Sequence, residues 1–159
     1  MKRIKVQQMI TVLATIVTIT VNVLANILPI NGLNTGEISD RFKIYFVPAG
    51  YVFSIWGLIY LGLIVYTVFQ ALPSQADNQH IKKIAPFYWV GSLANSIWIF
   101  LWHYEIFSLT LAAMLTILIT LLIINRILAK SEGLIKWLAK LPFSIYLGWI
   151  SVAIIANAS

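Results

Sequence analysis

Three sets of side chains in this chain of 159 residues have types and spacing that could do chemistry. Phe53, Trp56 and Tyr60 follow at helical spacings of three and four, as do Asn95, Trp98 and Trp102, with Tyr88 and Gly91 continuing the second face toward its start. Tyr146, Trp149, Ala153 and Asn157 fall on a third face. Contact with lipid asks only for Leu and Ile, so stripes of large rings with polar tips point to a helix-lined cavity or to an interfacial belt. Acid–base and metal chemistry find little support. The chain has no cysteine, and its two histidines, His80 and His103, fall in different connecting segments, which excludes a two-histidine helical metal motif. The apolar spans hold no Asp, Glu, Lys or His, one of which intramembrane catalysis or proton-coupled transport normally needs. Glu105 and His103 lie two apart, on different helical faces, and read as polar side chains turned to water in the third loop. No enzyme, catalytic residue or metal site is therefore expected.

The elements that position these residues follow from composition. With 60% hydrophobic and 10% charged residues, a soluble globule could not cover its core with polar surface, so the chain reads as an integral membrane protein. The fold class expected is all-α: one five-helix transmembrane bundle over 1–159, with spans near 9–28, 48–72, 86–102, 107–128 and 142–158. Lys2, Arg3 and Lys5 precede the first apolar run, a pattern shared by signal peptides and first transmembrane helices. A retained helix is favoured, with cleavage near Ala25 as the alternative. Thr15, Thr18, Asn22 and Asn26 give that helix a polar stripe suited to interhelical bonding, with ligand contact as the second reading.

Residues 29–46 read as a polar loop or lid. Pro48 opens an uncharged second span, since a proline at the first helical position loses no hydrogen bond. Pro86 and Pro142 are expected to start the third and fifth spans in the same way. The fourth, rich in Leu, Ile and Thr, reads as a lipid-facing or packing helix. Residues 134–141 read as an amphipathic interfacial segment anchored by Trp137, and Trp89 as a second interfacial anchor.

The net charge of +6 sits in short segments between apolar runs, where positive-inside bias explains it, and no nucleic acid is expected as partner. Nine Lys and Arg lie in the amino-terminal segment and the second and fourth loops, against two in the first loop and none in the third or after the last span. That imbalance puts the amino terminus in the cytoplasm and the carboxyl end outside the cell membrane.

With five spans placed, the residues resemble the translocator-protein family (TspO/MBR), the tryptophan-rich sensory proteins. That family's second span carries a proline eight residues before a tryptophan and then a Leu-Tyr pair; Pro48, Trp56 and Tyr60 match, with Ile59 for Leu. Its third span reads Asn, two residues, Trp and an aromatic pair, matched by Asn95 and Trp98, with Trp102 for one later ring. Its fifth reads Pro-Tyr-Leu-x-Trp with an Asn eight residues on, matched by Tyr146, Leu147, Trp149 and Asn157, while Ile145 replaces the proline. The paired prolines before the second span are reduced to Val47-Pro48 and the tryptophan that follows them is absent, which marks a divergent branch.

The resemblance implies a receptor or translocator for porphyrins or other flat hydrophobic molecules, held among the helices beneath the first loop. Phe53, Trp56, Tyr60, Trp98, Trp102, Tyr146 and Trp149 would line that pocket, with Asn95 and Asn157 as buried hydrogen-bonding groups. Flat ligands gain from stacking on Trp and Tyr while an amide fixes orientation. Packing is the competing reading for the rings, and interhelical bonding the better supported one for the two amides. No cofactor is required, porphyrin or haem entering only as ligand. The expected partners are the lipid bilayer, a hydrophobic small molecule and, through one apolar face, a second copy in a homodimer. The alternative is a membrane adaptor that binds a protein and no small molecule.

Overall fold

The computed structural model describes residues 5–28, 30–33, 35–41 and 54–158, and all regular structure among them is helical. The first helix, α1 (Val6–Ile27), turns the pattern of a soluble helix inside out. Its buried residues are Gln8, Thr11, Thr15, Thr18, Asn22 and Ala25, while Met9, Leu13, Ile16, Leu24 and Ile27 are exposed. Lipid rewards this arrangement, because a polar group facing hydrocarbon has no partner and one facing another helix does. The expected stripe is therefore real but shifted: it starts earlier, at Gln8 and Thr11, and Ala25 takes the place expected of Asn26. Asn26 is exposed and bonds back to the Asn22 carbonyl at 2.8 Å.

A short helix, α2 (Thr35–Asp40), lies in the first connection and packs on α1 and on α4 (Gln79–His103). Around the bundle, α1 sits between α3 (Ile55–Ala71) and α4. Helix α5 (Phe107–Ile127) sits between α4 and α7 (Leu141–Ala158), and α7 closes the ring on α3. Among the described residues, four stretches are long and apolar enough to cross a bilayer: α1, α4, α5 and the continuous Gly133–Asn157. Against the five spans expected, α3 is a shorter apolar helix of 17 residues, about 26 Å long where the hydrocarbon is about 30 Å. Residues 48–53, which were expected to extend it and include Phe53, lie outside the described residues.

Two prolines expected to open spans lie inside helices instead. Helix α4 begins at Gln79, where the Asn78 side chain accepts hydrogen bonds from the backbone N–H groups of His80 and Ile81. Pro86 then leaves the Lys82 carbonyl without its usual helical donor, and Gln7 Nε2 supplies one at 3.0 Å. The last helix starts at α6 (Gly133–Ile135), widens into a π turn over Lys136–Lys140 and runs on as α7. The Leu141 N–H reaches back five residues to the Lys136 carbonyl, directly before Pro142 breaks the hydrogen-bond ladder. The segment 134–141 is thus one helix with α7, though Leu134 and Trp137 remain exposed as an interfacial segment requires.

Close approaches at glycine set two helix spacings. A Cβ on Gly62 would lie 3.0 Å from the Pro142 Cβ, at the α3–α7 contact, and one on Gly91 would lie 2.8 Å from Thr120 Oγ1, at the α4–α5 contact. The main core fills the bundle with Leu63, Tyr66, Tyr88, Leu121, Ile124 and Phe143. Within it, the rings of Tyr66, Tyr88 and Phe143 meet edge to face at 4.8–5.7 Å.

Candidate functional site: an aromatic cluster among three helices

Helical periodicity aims Trp56 and Tyr60 from α3, Trp98 and Trp102 from α4, and Tyr146 and Trp149 from α7, and the structure brings all six together. Trp56 is the hub. Its ring stacks on Tyr60 at 5.7 Å and on Trp98 at 6.3 Å, and meets Tyr146 and Trp149 edge-on at 6.1 and 6.2 Å. Trp98 stacks in turn on Trp102 at 5.9 Å, and Trp102 meets Phe107 of α5 edge-on. These are contact separations for aromatic pairs. A flat molecule placed between two parallel rings needs about 7 Å between their planes, twice the carbon contact distance, so none of these described ring pairs has room for one between its members.

A buried polar column holds the rings in place. Asn22 donates to Asn95 Oδ1 at 2.6 Å, and Asn95 donates to the Tyr146 hydroxyl at 2.9 Å, which links α1, α4 and α7 in one chain. Asn95 is therefore the amide that orients Tyr146 against Trp56. Asn157 stands elsewhere: it accepts from Thr110 Oγ1 at 2.9 Å, an α5–α7 tie about 12 Å along the helix from Trp149. The indole N–H of Trp98 is buried and finds no hydrogen-bond acceptor among the described residues. Among the described residues the cluster holds rings, hydroxyls, amides and indole donors. Its chemistry is stacking and hydrogen bonding.

Below Tyr146 lies a small cavity walled by Thr18, Leu63, Tyr88, Ser92, Thr120 and Phe143, with a volume of about 10 Å³, room for one water. Above the rings, α2 forms a roof. Trp102 donates to the Thr35 carbonyl at 3.2 Å, Asn31 donates to the His103 carbonyl at 3.0 Å, and Arg41 pairs with Glu105 at 2.6 Å. His103, expected at a loop surface, is instead the last residue of α4 and fully buried. Its Nδ1 donates one turn back to the Ile99 carbonyl at 2.8 Å, leaving Nε2 toward the Thr35 hydroxyl at 3.5 Å.

Several members of the polar framework are absent from the sequence reading. Gln8 donates to the carbonyls of Gln70 and Leu72, and Gln70 donates back to the Gln8 carbonyl. Thr15 shares hydrogen bonds with Thr67 and with the Tyr88 hydroxyl. Gln8 and Thr11 could have been found by running the α1 stripe back in steps of four and three, whereas Thr67 and Gln70 have no periodic signal of their own. Trp89, read as an interfacial anchor, turns inward and donates its indole N–H to Thr11 Oγ1 at 2.9 Å.

The family model described as TSPO-like protein matches residues 8–159, a stretch that includes every ring of the cluster and the whole polar column. The chain belongs to the TSPO-like family. Comparison with curated proteins and with solved structures returned no match. Membership makes this TSPO-like protein a multi-pass membrane protein, in agreement with its apolar helices and the inverted burial of α1.

Proposed function

We propose that this TSPO-like protein binds a porphyrin, another tetrapyrrole or a similarly flat hydrophobic molecule among α3, α4 and α7. The observation that carries the reading is Trp56, a single ring in contact with four others from three helices. Such a cluster can exchange ring–ring contacts for ring–ligand contacts at little net cost, because both are offset-stacked or edge-on aromatic pairs. The unpaired Trp98 N–H would then meet a carbonyl or carboxylate of the ligand. Because the Trp56 and Trp98 rings are in contact, a ligand that stacks between them needs Trp56 to swing away, and α2 is the described element on that side of the rings. The reading is of a binding protein for transport, sensing or scavenging and not of an enzyme. It is completed by a fifth span built on α3, with the amino terminus in the cytoplasm and the carboxyl end outside.

The test is a titration of purified protein with protoporphyrin or haem, followed by Soret absorbance. Saturable binding is expected, and Trp56→Phe and Trp149→Phe should each weaken it about fivefold, the equivalent of roughly 1 kcal/mol per stacking partner. Trp137→Phe is the control, since its ring is exposed and far along the last helix from the cluster. No saturable binding, or equal affinity in all three variants, would return these rings to packing. The mutual contact of the described rings favours that second reading, and a stoichiometric protein partner in place of a ligand would establish the adaptor.

A further inference from the structure

The end of the bundle where α5 stops and the last helix begins carries charge that the protein leaves uncompensated. Lys5 and Lys82, at the same end, share the carboxylate of Asp77. Lys83, Arg126, Lys130, Lys136 and Lys140, by contrast, enter no ion pair among the described residues, and Glu132 is the one acidic residue between positions 126 and 140. Four of these five cations fall within fifteen residues, around the turn that joins α5 to α6 and the π turn.

Large apolar side chains stand exposed on the same short segment. Leu134 is 65% exposed, Trp137 58% and Leu141 43%, and these recur at spacings of three and four, on a different face from Lys136 and Lys140. Lys136 Nζ lies over the Trp137 ring at 5.2 Å, and Lys140 Nζ donates to the Ala129 carbonyl at 2.8 Å, which folds the cations back over the turn. A positive-inside bias accounts for the side of the membrane on which these cations lie, and at the same end Asp77 neutralises Lys5 and Lys82 while Lys83 stays unpaired among the described residues. What that bias leaves unassigned is the concentration of four unpaired cations beside an exposed apolar wedge.

We propose that this rim, formed by Arg126, Lys130, Lys136 and Lys140 with Leu134 and Trp137, docks the headgroup of an anionic phospholipid. The lysines meet the phosphate, and Leu134 and Trp137 lie against the upper acyl chains. The exposed Leu134 and Trp137 seat the rim at the headgroup level of the bilayer, where the phosphates beside the cations belong to lipids, so the occupant is the lipid. This surface lies at the opposite end of α7 from Asn157 and shares no residue with the aromatic cluster.

Native mass spectrometry of the purified protein in mixed micelles of phosphatidylglycerol and phosphatidylcholine tests it. Wild type should retain phosphatidylglycerol in preference by several hundredfold, and Lys130→Gln/Lys136→Gln/Lys140→Gln should cut that preference about a hundredfold, at about fivefold per cation, leaving about the fivefold due to Arg126. Lys130→Arg/Lys136→Arg/Lys140→Arg should keep it, which separates charge from any structural part played by the Lys140 bond, and Lys83→Gln should also keep it. Equal retention of both lipids by wild type, or an unchanged preference in the glutamine variant, would overturn the proposal. So would displacement of the lipid by equimolar glycerol phosphate, which would mark a soluble-phosphate site.

Discussion

Gly57 and Gly62 lie on the same helix, and replacing each by Ala makes the same chemical change with opposite expected results. A methyl at Gly57 meets nothing within 4 Å. There Gly57→Ala should stabilise the protein by about 0.5–1 kcal/mol, the backbone entropy that glycine loses in a helix. A methyl at Gly62 arrives 3.0 Å from the Cβ and 3.4 Å from the Cα of Pro142. The proline cannot turn aside, since its ring is tied to the backbone and the next residue, Phe143, is buried in the main core. Helices α3 and α7 must therefore part by several tenths of an ångström, an overpacking that typically costs about 1–3 kcal/mol. The same propensity gain offsets part of it, so Gly62→Ala should be neutral to about 2 kcal/mol destabilising, and always below Gly57→Ala by about 1–3 kcal/mol. Because Trp56 reaches Tyr146 and Trp149 across this interface, Gly62→Ala should also change the near-ultraviolet signal of the cluster, which Gly57→Ala should leave alone. Thermal unfolding of both variants in one detergent decides the matter. A Gly62→Ala protein as stable as Gly57→Ala would refute the claim that the Gly62–Pro142 contact sets the α3–α7 spacing.

Gln8 caps two helices at once, accepting from the Lys5 N–H and donating to the Gln70 and Leu72 carbonyls at the end of α3. Gln8→Leu should cost about 2 kcal/mol from three lost bonds at about 0.6 kcal/mol each, read by unfolding in bicelles, and Gln8→Glu should cost more because it turns carboxylate oxygens toward two carbonyls. If Gln8→Glu proves the milder change, the donor role is wrong. Hydrogen bonds from Lys5 and then Lys82 hold the Asp77 carboxyl well below the usual carboxylate range. A carboxyl depressed in the folded state adds stability above its unfolded value, near pH 4, and loses it as pH falls through the lower folded value. Asp77→Asn should accordingly flatten the acid limb of a stability–pH profile, and added salt should do so in part, since the pair is exposed.

The sequence reveals faces more readily than ends. Residues three and four apart share a helix face whatever surrounds them, so the rings at 56, 60, 98, 102, 146 and 149 could be grouped before any neighbour was known. The interior place of Pro86 was harder to read: Asn78 is a local cap signal for the start of α4, but the carbonyl that the proline strands is met by Gln7, more than seventy residues away. Pro142 is excused by a π turn whose only trace in the sequence is the proline itself. His103 looked like loop polarity for a related reason. Its burial depends on α2 folding back over the end of α4, a contact that begins at Asn31 and Thr35 and has no periodic signature.

The same division explains why ligand lining and packing could not be separated by pattern. Both readings place identical side chains on identical faces, and they differ only in how far apart three helices stand. That distance is set by contacts other than those between the rings: the Gly62–Pro142 approach, the Gly91–Thr120 approach and the Asn22–Asn95–Tyr146 chain. With these in place the described rings are within contact of one another, so a ligand stacking between Trp56 and Trp98, as proposed above, would draw on motion of Trp56. Affinity for a flat ligand should then depend on residues that never touch it, and the spacing contact at Gly62 is the place where stability and binding would be seen to move together.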